Sequence, residues 1–290
     1  MHKKEQEYVM ASETNSEQKQ EKMSSFVKRL ISGIILVILA LIFVGYGGLP
    51  LFLMTLLISM IGIYELYHVF GIEKRSLGFV GYLTVVVYYI LVWLDTTQYF
   101  TLMIILSLMI LLAFYVITYP TYQIKTVSET FMCVVYAGIM MSYLYQTRMM
   151  PDGKFLVWLI FISSWGSDTC AYCIGMLFGK HKMTPVLSPK KTIEGAVGGV
   201  VGAALLGFIY AYIFRAHFKI VADPAFSSAF ACAIAAVVSM IGDLTASGIK
   251  RDYGIKDYGN IIPGHGGIMD RFDSVIFTAP AIYFALTFLF

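Results

Sequence analysis

The chain has 290 residues, of which 58% are apolar and 13% charged, with a net charge of +3. Soluble domains usually carry about 25% charged residues, so this chain cannot cover a water-facing surface, and its small net charge gives no ground for a nucleic-acid partner. The four cysteines, Cys133, Cys170, Cys173 and Cys232, lie in or beside apolar runs, which argues against a disulfide framework.

In chain order, residues 1–25 are polar and rich in Glu, Gln, Lys and Ser, the composition of a disordered cytoplasmic tail. Apolar stretches follow at 27–45, 49–70, 78–94, 99–119, 129–147, 155–178, 193–214, 226–248 and 272–290. Crossing a bilayer takes about 20 apolar residues, so the expected fold is all-α, a polytopic membrane helical bundle of about nine transmembrane helices. Residues 26–150 form its N-terminal helices and 151–290 a C-terminal catalytic region. Gly45-Tyr46-Gly47-Gly48-Leu49-Pro50, Tyr119-Pro120 and Pro151-Asp152-Gly153 are the turn signals between spans. Cys170-x-x-Cys173 stands without a second pair or a histidine at ligand spacing, and reads as a helix-packing contact.

Basic residues mark the cytoplasmic side of a membrane protein. With the N-terminus inside, only Arg148, Lys154, Arg215 and Lys219 of the 21 Lys and Arg fall outside. The loops at 179–192 and 249–271, which hold most of the polar residues, are then both cytoplasmic.

The chemistry gathers in the last of these loops. Asp243, Ser247 and Lys250 follow one another at i, i+4 and i+7, which places a carboxylate, a hydroxyl and an ammonium on one helix face. Pro263-Gly264-His265-Gly266-Gly267 offers a backbone that can approach a ligand closely, with N–H groups suited to phosphate oxygens. It leads into a helix whose first turn carries Asp270, Arg271 and Asp273. Carboxylates and phosphates repel unless a divalent cation bridges them, and magnesium takes one or two carboxylates together with substrate phosphates. Asp273 alone would also serve as a plain helix-start residue. A second cluster lies on the same side: Asp168 inside the sixth span, then Ser188-Pro189-Lys190-Lys191 at the entrance of the seventh, with Ser188 as its expected cap.

The run Ser247-x-Ile249-Lys250-Arg251-x4-Lys256-Asp257-x-Gly259-x2-Ile262-Pro263-x-His265-Gly266-Gly267-Ile268-x-Asp270-Arg271-Phe272-Asp273 closely resembles the signature of phosphatidate cytidylyltransferases, also called CDP-diacylglycerol synthases. Ser188-Pro189-Lys190-Lys191-Thr192-x-Glu194-Gly195 and Asp168-Thr169-x-Ala171-Tyr172 look like two further blocks of that family, in the expected order. The motif resemblance covers residues 163–274, while the first 150 residues contribute hydropathy only. Many bacterial members have Glu where this chain has Ala246, so any metal role of that neighbour does not carry over.

The resemblance implies transfer of CMP from CTP to phosphatidic acid, giving CDP-diacylglycerol and pyrophosphate, with magnesium as cofactor and a second cation left open. Asp243, Asp270, Lys250 and Arg251 are the expected catalytic residues, and Asp243, Asp270 and Asp273 the expected metal ligands. Lys190, Lys191, Ser247, Lys256, His265, Gly266, Gly267, Arg271 and Asp168 are the expected substrate-binding set. The expected place is the cytoplasmic membrane, among lipids whose acyl chains enter sideways, with a homodimer left open. Two other readings are a CTP-dependent polyprenol or fatty-alcohol kinase and a cation-coupled transporter using Asp168 and Asp243. The complete signature disfavours the first. The absence of an internal repeat and the gathering of charge at one face disfavour the second.

Overall fold

A computed structural model describes residues 31–219, 223–262, 264 and 266–289. The predicted tail and His265 lie outside them. The described chain is helical apart from one short hairpin, so the all-α membrane bundle is the observed class.

In order, the helices are α1 (Ile31–Tyr46), α2 (Gly48–Phe70), α3 (Ser76–Trp93), α4 (Phe100–Thr118) and α5 (Ile124–Met149). A segmented helix over residues 153–178, here α6, is followed by α7 (Ile193–Ile213), α8 (Pro224–Asp252) and α9 (Met269–Leu289). Among the described residues six helices are long and apolar enough to cross a membrane, which makes this a multi-pass membrane protein. The expected count of about nine is not confirmed among the described residues. The described part of α1 is shorter, and α6 is broken at Val157 and by a π-helical turn at Ile162–Gly166. The first two turns of α9 carry Asp270, Arg271 and Asp273. Apolar composition therefore located the helices.

The faces of the six spans differ. The α4 window is only 11% buried and presents Leu102, Ile105, Met109 and Val116 outward, whereas the α5 window is 61% buried. α9 is the central element, burying Phe272, Val275, Ile276, Ala279, Ile282 and Leu286 against α8, α5 and α6. Without a hydrophobic drive between helices in lipid, close backbone approach and polar contacts do the joining. Ser59 of α2 and Tyr89 of α3 share a 2.7 Å hydrogen bond in the core. All four cysteines are free, and Cys170 packs at the face of Gly202 on α7, as expected of a helix contact, whereas Cys173 is exposed.

The loop between α6 and α7 folds into an antiparallel hairpin, β1 (Lys182–Thr184) with β2 (Ser188–Thr192), Thr184 pairing with Ser188. This corrects the expected cap of α7. Ser188 is a strand residue, and Thr192 is the N-cap, its Oγ1 accepting from the Gly195 N–H at 3.2 Å. Lys190 and Lys191 accordingly sit on the strand that leads into the helix.

At the α8–α9 crossing, Gly242 lies against α9 so closely that a Cβ there would come within 2.8 Å of the Asp273 carbonyl and 2.9 Å of the Phe277 ring. The missing side chain lets Asp243 and Asp273 approach one another. Gly242→Ala should overpack this crossing and lower stability by about 1–3 kcal/mol, measurable as a lowered unfolding midpoint in detergent or nanodiscs.

Candidate active site

α8 and α9 converge at their polar ends, and the loop 253–268 folds back over the gap between them. Two carboxylates hold it there. Asp270, in the first turn of α9, has a side chain only 1% exposed and pairs through Oδ1 with Lys250 Nζ at 2.9 Å. Its Oδ2 accepts from the Tyr258 N–H at 2.8 Å and the Gly267 N–H at 2.9 Å. Gly266, at φ +87°, leaves room for that carboxylate, since a Cβ would stand 2.7 Å from Oδ2. Lys250 also lies 5.4 Å from the centre of the Tyr258 ring, and the Tyr258 hydroxyl donates to the Ala246 carbonyl at 2.9 Å. Burial pushes that hydroxyl well above its ordinary pKa, so it remains a donor.

The second carboxylate comes from far away in sequence. Glu65 of α2 is 2% exposed, and its two oxygens accept from the Ile268 and Met269 N–H groups at 2.9 and 2.8 Å. It caps α9 from another helix and leaves no space beyond hydrogen at Gly267, where a Cβ would meet both oxygens at 2.5 Å. Sequence reasoning missed Glu65. Its signal was present, an ionisable residue inside an apolar span, which is costly unless partnered. Of the glycine turn expected to face phosphate, the Gly267 N–H is thus given to a protein carboxylate, as are the next two N–H groups of the chain, those of Ile268 and Met269.

A separate group lies deeper. Asp168 of α6, Asp243 of α8 and Asp273 of α9 interact electrostatically with one another, and the Ser274 hydroxyl lies 3.4 Å from Asp168 Oδ2. Lys191 of the hairpin forms an ion pair with Asp243. The hairpin is set over α8 by Arg251, whose Nε donates to the Leu187 carbonyl at 2.6 Å. Glu194 fastens its other end, accepting from the Lys180 and His181 N–H groups at 3.1 and 3.2 Å. Between these parts lies a cavity of about 460 Å³, lined by Asp168, Lys190, Lys191, Asp243, Met240 and Tyr172 among others.

The structure therefore distributes the predicted residues over two adjoining assemblies. Asp243 stands with Asp168, Asp273, Lys190 and Lys191, whereas Asp270 stands with Lys250, Gly266 and Gly267. Arg251 holds the hairpin. Arg271 is half-buried, its Nε without a partner among the described residues. Ser247 is half-buried on α8 and Lys256 exposed in the loop.

The donor chemistry suits magnesium, for Asp168, Asp243 and Asp273 are hard oxygen donors. Among the described residues no three acidic, His or Cys side chains are close enough to hold an ion as they stand, and Lys191 supplies the positive charge beside Asp243.

Comparison with known proteins places the whole chain in one family. A family model described as the cytidylyltransferase family matches residues 27–289, nearly the whole chain and both of its halves. The chain belongs to that family. Among curated relatives of this cytidylyltransferase, the phosphatidate cytidylyltransferase of Staphylococcus saprophyticus is 34% identical over 262 residues, covering 88% of this chain and 96% of the relative. Those of Staphylococcus epidermidis and Staphylococcus aureus are each 32% identical, over 259 and 263 residues, with the same coverage.

Glu65→Ala would strand two buried N–H groups at the start of α9, each costing about 1–3 kcal/mol. Amide hydrogen exchange at Ile268 and Met269 is expected to accelerate at least about tenfold, while that of α3 stays unchanged.

Proposed function

We propose that this chain is a phosphatidate cytidylyltransferase, transferring CMP from CTP to phosphatidic acid and releasing pyrophosphate. The observation that carries the reading is the juxtaposition of two matched pairs, Lys191 of the hairpin with Asp243 of α8 and Lys250 of α8 with Asp270 of α9, beside a cavity with polar and apolar walls. CTP brings three linked phosphates and the lipid a fourth, and an anionic site needs cations that can turn toward them. A phosphate entering the cavity competes with Asp243 for Lys191 and with Asp270 for Lys250. Each ammonium that turns to phosphate leaves a carboxylate oxygen open.

Asp168, Asp243 and Asp273 would hold magnesium, joined by Asp270 once Lys250 is drawn to phosphate. The ion supplies neutralisation of the charge that develops on the transferring group and the pyrophosphate. Lys190, Lys191, Lys250 and Arg271 orient phosphates, and Arg251 keeps the hairpin lysines over the cavity. No base is required, because the attacking lipid phosphate is already an anion. The charged ends of α8 and α9 and the hairpin lie on one face, which the distribution of Lys and Arg assigns to the cytoplasm, with the N-terminus inside.

Purified protein given phosphatidate, magnesium and CTP labelled in the cytidine should produce a labelled lipid. CTP labelled at the γ-phosphate, which a lipid-alcohol kinase would transfer, should not. Asp243→Asn and Asp270→Asn are each expected to lower turnover by a factor on the order of 10² or more without loss of membrane insertion, and retained activity in both would refute the assignment. Cysteine placed at Val186 in the hairpin turn, in a cysteine-free background, should react with an impermeant maleimide only in inverted vesicles.

A further inference from the structure

A second cavity, about 510 Å³, lies on the other side of α8 and α9 from the hairpin, between α4 and α5. Its walls include Leu112, Phe131 and Met132, and it is closed by Thr245 and Phe277. The closing residues belong to the two carboxylate-bearing helices: Phe277 stands one turn beyond Asp273, and Thr245 two residues beyond Asp243. Along α5 the wall runs from Ile124 to Met140, a rise of about 24 Å at 1.5 Å per residue, against a half-thickness of the hydrocarbon core of about 15 Å.

Tyr136 joins this groove to the polar site. It lies in the π-helical turn Val134–Ile139 of α5, a distortion that often marks functional positions. Its ring lines the groove and meets Phe277, one turn beyond Asp273 on α9, edge-on at 5.6 Å. The side chain is 5% exposed, and its hydroxyl has no hydrogen-bond partner among the described residues. A buried, unmatched donor between an apolar channel and a set of phosphate-handling residues suits a ligand that is apolar at one end and rich in oxygen at the other.

We propose that this groove is a lipid subsite, holding one acyl chain of the phosphatidic acid while the Tyr136 hydroxyl donates to an oxygen of its headgroup or glycerol ester. The proposal rests on the cytidylyltransferase reading and adds where the lipid lies: its chain along α5, its head against Asp273. Bulk membrane lipid could fill the same space, and the two occupants are separable by experiment.

In nanodiscs, Met132→Trp, which narrows the groove, should raise the KM for dioleoyl phosphatidate relative to that for dihexanoyl phosphatidate by at least about tenfold. Tyr136→Phe should raise the KM for both lipids and leave that for CTP unaltered. An equal effect of Met132→Trp on long and short chains would overturn the proposal. Independently of turnover, a phosphatidate with a diazirine in its acyl chain should label groove residues of α4 and α5 in the wild-type protein. Unlabelled phosphatidate should compete this labelling away and phosphatidylcholine should not. Equal competition by both would show bulk lipid only and sink the subsite. Specific labelling without any CTP-dependent product would instead sink the reaction and leave the lipid site standing.

Discussion

A carboxylate removed from water must be matched by charge or hydrogen bonds, and in this protein the matching of Asp270 determines where the catalytic loop lies. One oxygen takes the Lys250 ammonium, and the other takes the backbone of Tyr258 and of Gly267. A single side chain thereby connects the end of α8, the middle of the loop and the start of α9. An unmatched charge at this depth would cost several kcal/mol, so loop position and ion pairing are not independent. Gly266 and Gly267 follow from the same constraint, because the backbone must come close enough to donate and no side chain fits beside the two carboxylates.

The N-terminal helices share in this task. α2 sends Glu65 to the amides of Ile268 and Met269, and its last residue, Phe70, packs against Tyr253 with ring centres 5.0 Å apart. The Tyr253 hydroxyl donates to Glu129 of α5 at 2.6 Å. Both ends of the loop are thus gripped by helices that carry none of the signature residues. The N-terminal half works as a frame against which α8, α9 and their loop are set, and the larger buried core, which runs from Val44 to Leu286, is the packing expression of that frame.

The two lysine–carboxylate pairs give the site an electrostatic logic of exchange. Each pair is neutral in itself, which lets the charges rest at the membrane boundary at tolerable cost. A polyphosphate offers the ammonium groups a partner of higher charge. The same arrangement explains why the basic residues lie on a hairpin and a helix end while the acids lie on the helices beneath. The lysines carry the longer, more adaptable side chains, and the carboxylates are fixed in the bundle.

Much of this was legible in the chain itself. Apolar runs located the helices, because backbone in lipid must satisfy its own hydrogen bonds, and the i, i+4, i+7 spacing placed Asp243, Ser247 and Lys250 on one face of what is indeed a continuous helix, α8. The glycine-rich turn announced a close approach of backbone to an anion, expected as a ligand phosphate, where the structure shows the Asp270 carboxylate on the Gly267 N–H. The partners were not legible. That Asp243 meets Lys191 and Asp270 meets Lys250, that Glu65 caps a helix some two hundred positions away, and that Thr192 rather than Ser188 begins α7 all depend on how helices cross and how a short hairpin folds over them. Local order follows periodicity and hydropathy, which reside in neighbouring residues. Which charge neutralises which is settled only when packing brings distant side chains within a few ångströms in a medium that does not screen them.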